Sequence, residues 1–76
     1  MKVNIEITDT FGGEANYTWV RRYTLDLPDM CTNDYVVRQV KRHIGWTGQR
    51  CVREEYHDQV VLRPRGECVV CFINFI

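Results

Sequence analysis

The 76-residue chain contains no serine at all. Hydroxyl-nucleophile catalysis of the serine type is therefore excluded. Histidine is scarce: His43 and His57 are the only two. No Cys or Thr stands beside either in the sequence with an acid placed behind it, so no nucleophile triad is readable. No apolar run approaches the roughly 20 residues of a membrane-spanning helix. The opening residues Met1 to Glu6 alternate in polarity and lack the apolar block of a secretory signal. Net charge is missing too, with 10 Lys+Arg against 10 Asp+Glu. A chain without excess positive charge is not built to coat nucleic acid. The expected class is a small non-enzymatic protein with no cofactor and no membrane partner.

Hydrophobic residues make up 45% of the chain and charged residues 26%, which is globular rather than disordered composition. At this length one domain spanning residues 1–76 is expected, with a small core. Four cysteines are present: Cys31, Cys51, Cys68 and Cys71. A disulfide framework needs a secretory context. The expectation is four reduced thiols in the cytoplasm.

Periodicity predicts the elements. Val3, Ile5 and Ile7 alternate with polar neighbours, so residues 2–10 read as a half-buried strand. Gly12 and Gly13 mark a turn within a loop at 11–16. A second strand over 17–27 places Tyr17, Trp19, Arg21, Tyr23, Leu25 and Leu27 on one face. The two strands form a hairpin. After Pro28, Thr32 or Asn33 caps a helix whose Val36, Val37, Val40 and Ile44 recur at helical spacing. Gly45 ends it. Residues 50–56, 59–63 and 67–75 read as three more strands, with turns at His57-Asp58 and Pro64-Arg65-Gly66. The last strand is apolar on both faces and is expected to be central. The prediction is an α+β domain, order ββαβββ, with one helix packed on one face of a mostly antiparallel five-stranded sheet. One helix cannot cover both faces. Either the Trp and Tyr side chains or a second chain must cover the other, and a tendency to form a homodimer follows.

Three groups of residues qualify as candidate sites. Cys68 and Cys71 form a C-x-x-C, the pattern of a redox centre or half of a zinc site. On a strand the two thiols point to opposite faces, and no second close pair exists. They are the lesser candidates, and buried apolar thiols are the plainer expectation. The second group is basic. Residues 35–53 contain Arg38, Lys41, Arg42, Arg50 and Arg53 and no acid, whereas residues 1–34 carry three basic against six acidic residues and residues 54–76 two against four. Arg38, Lys41 and Arg42 lie opposite the valine stripe, with Trp46 close by. This face suits an acidic protein surface, or, more weakly, a phosphate backbone. The third group is Tyr17, Trp19, Arg21 and Tyr23, either a second hydrophobic layer or an exposed docking patch on which Arg21 stacks.

The run Asp9-Thr10-Phe11-Gly12-Gly13-Glu14-Ala15-Asn16-Tyr17-Thr18-Trp19-Val20-Arg21-Arg22, with Ile44-Gly45-Trp46-Thr47-Gly48, resembles small proteins of bacteriophages and bacterial mobile elements. The resemblance spans nearly the whole chain. It implies an accessory role in a bacterial cytoplasm and supplies no catalytic motif, cofactor or site residue. The element order is also similar to the β-grasp pattern of ubiquitin-like domains, a likeness that implies no function. The chain ends Asn74-Phe75-Ile76 and not in the di-glycine tail of a conjugated modifier.

Overall fold

The glycine pair at the first turn sets the architecture. In a computed structural model describing all 76 residues, Gly12 and Gly13 both have positive φ, 63° and 84°. That pair of conformations makes a two-residue hairpin turn whose twist matches the strands it joins. It connects β1 (Lys2–Phe11) to β2 (Glu14–Asp26). The remaining elements are α1 (Asn33–Ile44), β3 (Cys51–Glu55), β4 (Gln59–Pro64) and β5 (Val69–Phe75). They form one five-stranded sheet in the order β2-β1-β5-β4-β3. All four pairings are antiparallel. The α+β class, the ββαβββ order and the single domain are as the periodicity predicts. β5 is central, as its two apolar faces require.

Two local readings are corrected. The loop expected at 11–16 contracts to the two glycines, and Pro64 is the last, buried residue of β4 rather than part of a turn. The surplus residues of the hairpin appear instead as a bulge. Between the pairs Thr8↔Val20 and Thr10↔Ala15, one residue of β1 stands against four of β2, Asn16 to Trp19. Tyr17 has φ 56° there, a left-handed conformation that few non-glycine residues adopt. The alternation that would put Tyr17 on one face with Trp19, Arg21 and Tyr23 is therefore broken at Tyr17.

Helix α1 has the termini its sequence announces. Thr32 is the N-cap, and its side chain accepts from the Tyr35 amide at 3.1 Å. Asp34 lies in the first turn, and Lys41, Arg42 and His43 lie in the last, each favoured by the helix dipole. Gly45 closes the helix at φ 80° and donates its amide to the Lys41 carbonyl. The stripe Val36, Val37 and Val40 is buried against Val3, Ile5 and Ile7 of β1, Val60 and Leu62 of β4, and Cys71 and Ile73 of β5. Each such side chain contributes about 1.5–3 kcal/mol of transfer free energy. An ion pair and a hydrogen bond at the helix start reinforce the seating. Arg53 of β3 meets Asp34 at 2.7 Å, and Asn33 donates to Glu55 at 2.6 Å.

The other sheet face has no helix over it. Asn4, Glu6, Arg22, Thr24 and Asn74 border a shallow depression of about 330 Å3 there, with the Arg22–Glu6 ion pair at 3.2 Å. The tryptophans do not cover this face. Arg63 of β4 donates to the Gly13 carbonyl at 3.0 Å, so the hairpin tip leans across the start of β5 toward β4. Thr8, Val61 and Val70 are buried on this side.

Candidate functional site

The strand alternation that resumes at Val20 places Arg21 opposite Ile7 on the helix side of the sheet, and Trp19, the last residue of the bulge, lies beside it. Gly45 turns the chain at the end of α1 and places Trp46 over that end. Trp19, Arg21, Trp46, Gln49, Pro64, Glu67 and Val69 line one open depression of about 360 Å3. The Arg21 guanidinium lies 5.7 Å from the Trp19 ring centre, a cation–π distance. Trp19 is 41% exposed.

A second depression, about 200 Å3, adjoins it across the loop 46–49. Arg38, Lys41, Arg42, Thr47 and Gly48 line it, and no acid does. The spacing i, i+3, i+4 brings the three cations to one side of α1. Lys41 is half-buried, and its ammonium donates to the Gln49 carbonyl at 2.8 Å, which ties the loop to the helix. Arg38, Lys41, Arg42 and Arg50 make no ion pair, whereas Arg22, Arg53 and Arg63 do. Unpaired like charges within one helical turn repel by a few tenths of a kcal/mol each. An anionic partner would relieve that repulsion.

The structure thus joins two groups that the sequence kept apart, and it sorts their members. Arg38, Lys41, Arg42, Trp46, Trp19 and Arg21 share one end of the helix side. Arg50 is exposed and adjoins the same loop. Arg53 is withdrawn from the basic surface, since Asp34 and Glu55 hold it at 2.7 and 3.9 Å. Tyr23 packs at the margin of the core, with its ring edge-on to His43 at 5.5 Å. Tyr17 is exposed in the bulge. Gln49, Thr47, Pro64, Glu67 and Val69 complete the two depressions, and no periodicity marks them. The one available signal was Gly45 and Gly48 flanking Trp46, since two glycines bracket a turn that presents what lies between.

The C-x-x-C is divided, but not along one strand as expected, because Cys68 lies in a bend just before β5, which begins at Val69. Cys71 is fully buried against the helix, and burial, with Cys51 nearby, pushes its thiol up to about 12. Cys68 is exposed. Burial also raises Cys51, opposed by the Lys41 ammonium. No cluster of three His, Cys, Asp or Glu side chains suits a metal ion. No helix is long and apolar enough to cross a membrane. No protein-family model, curated protein or solved structure matches the chain.

Proposed function

We propose that the protein is a non-enzymatic binding module that docks on an acidic surface of another protein, using the C-terminal half of α1 and the loop after it. The observation that carries this reading is the group of unpaired cations, Arg38, Lys41, Arg42 and Arg50, in a stretch with no acid of its own. Opposite charge steers encounter and suppresses wrong partners. Of the groups with acid–base or nucleophilic range, His43 packs against Tyr23 and Cys71 lies in the core, while His57 and Cys68 are exposed with no acid or base hydrogen-bonded to them. The likeness of residues 9–22 and 44–48 to mobile-element proteins makes a bacterial or phage protein in the cytoplasm the natural partner.

The test is affinity capture from a bacterial lysate with the wild type and with Arg38→Glu/Arg42→Glu. Capture of an acidic protein that is lost on charge reversal and on raising the salt is expected. Capture that ignores both, or none at all, overturns the reading.

A second reading, weak nucleic-acid binding, is favoured by the two tryptophans beside the cations, since bases stack on aromatic rings. Titration of labelled oligo(dT) and oligo(U) at low salt decides it. Binding unchanged by Arg38, Lys41 and Arg42 all changed to Glu removes it. The open sheet face and the long edge of β2 also support a homodimer. Light scattering at high concentration reads this, and a monomer throughout overturns it.

A further inference from the structure

We infer that the partner segment is bipartite, with an apolar side chain seated in the Trp19–Trp46 depression and carboxylates on Arg38, Lys41 and Arg42. The inference rests on the protein-docking reading and adds what the partner must carry. Its ground is that two depressions of different chemistry share one wall. Trp46 and Gln49 line the aromatic one; Thr47 and Gly48, between them in sequence, line the basic one. Lys41 holds that wall in place through the Gln49 carbonyl, so the two subsites have a fixed spacing.

The composition of each subsite selects its occupant. The basic depression has three cations and no acid, so a carboxylate fits and a cationic side chain is repelled. The aromatic depression holds one charge of each sign, Arg21 and Glu67, beside Trp19, Trp46, Pro64 and Val69. Arg21 already lies over the Trp19 ring, so a second cation there would meet a like charge. An uncharged side chain is the better occupant. Trp and Arg are the residues that most often anchor interfaces, in pockets that exclude water. A cluster of charges alone would give a surface sensitive to salt but indifferent to sequence. The adjoining aromatic pocket confers choice.

The probe is a displayed library of random 12-residue peptides, selected on the intact chain. Each selected peptide is then measured against Trp46→Ala, Trp19→Ala and Arg38→Glu/Arg42→Glu. Folding of each variant is checked by circular dichroism, and Trp46→Phe serves as the conservative control. The expected peptides combine an acidic cluster with one large apolar residue at a constant separation. Each tryptophan truncation should weaken them about tenfold or more, the scale of an anchoring aromatic. Trp46→Phe should retain most of the affinity. Acidic peptides that lack an apolar residue, or that ignore both tryptophans, overturn the bipartite site and leave the docking reading standing. No selected peptide sensitive to the charge reversal overturns both. Oligo(dT) competing more strongly than every peptide also overturns both and assigns the surface to nucleic acid.

Discussion

Thr8 and Asp9 hold the bulge that brings Trp19 to the site. The Thr8 hydroxyl is fully buried, donates to the Trp19 carbonyl at 2.9 Å and accepts from the Tyr17 amide at 3.0 Å. Thr8→Val keeps the shape and removes both bonds. A loss of about 1–3 kcal/mol in urea unfolding is expected, because two backbone groups lose their partners. Asp9 accepts from the Thr18 amide at 2.9 Å and from Asn16 at 3.1 Å. Hydrogen bonding from Thr18 foremost, then from Asn16, lowers its carboxyl to about 2. A carboxylate depressed in the folded state contributes stability that is present above its unfolded value near 3.9 and is lost as pH falls toward about 2. The melting temperature should therefore fall across that window, and less steeply in Asp9→Asn. Asp29 and Glu54 are also lowered, by the N-terminal ammonium and by Tyr56 with Arg63, so the slope is reduced and not abolished. Equal slopes for variant and wild type would show that Asp9 does not hold the bulge. Cys71 supplies another check. Its buried thiol should stay unlabelled by a disulfide reagent at pH 8 until the chain unfolds, while Cys68 reacts at once.

The elements were legible where one periodicity ran unbroken. Val3, Ile5 and Ile7 announced β1, and the spacing of Val36, Val37 and Val40 announced α1 together with its two caps. β5 declared itself central by being apolar on both faces. The bulge in β2 was not legible, because the alternation from Tyr17 to Tyr23 looks perfect as a string. Only the pairing with β1, and the two side chains Thr8 and Asp9 that satisfy the freed amides, shows that four residues face one. The candidate site was half legible for the same reason. Helical spacing gathered Arg38, Lys41 and Arg42, but joining them to Trp19 needed the strand order and the direction in which Gly45 turns the chain. Arg53 looked free until the sheet set it beside Asp34. Gly45 therefore has a structural and a functional consequence. With φ at 80°, Gly45→Ala should cost about 1–2 kcal/mol. It should also shift Trp46 fluorescence, since the turn it forms places that ring. A stability loss with unchanged emission would mean that the 46–49 loop is positioned by the Lys41–Gln49 tie alone.

Across the whole molecule, charge and cover are divided between the two sheet faces. The chain is neutral in sum, yet four unpaired cations, Arg38, Lys41, Arg42 and Arg50, gather at one end of the helix side, while the opposite face pairs Arg22 with Glu6 and Arg63 with Glu54. That second face has no helix, and what spans it is the hairpin tip, fastened by Arg63 to Gly13, fifty residues away in sequence. The same guanidinium holds Glu54 at 3.1 Å, and Glu54 accepts from the Tyr56 hydroxyl at 2.8 Å. These groups are open to solvent, so screening keeps the fastening weak. Its effect should be local. Arg63→Ala should speed amide exchange at residues 11–15, which lie beyond the paired length of β5, and leave β4 and β5 protected. Peptide-resolved hydrogen exchange reads both regions together. If exchange rose evenly over the whole sheet, Arg63 would be a general contributor to stability. If it rose nowhere, β1–β2 pairing alone would hold the tip. Only a rise confined to the hairpin identifies Arg63 as the residue that keeps it folded over the open face.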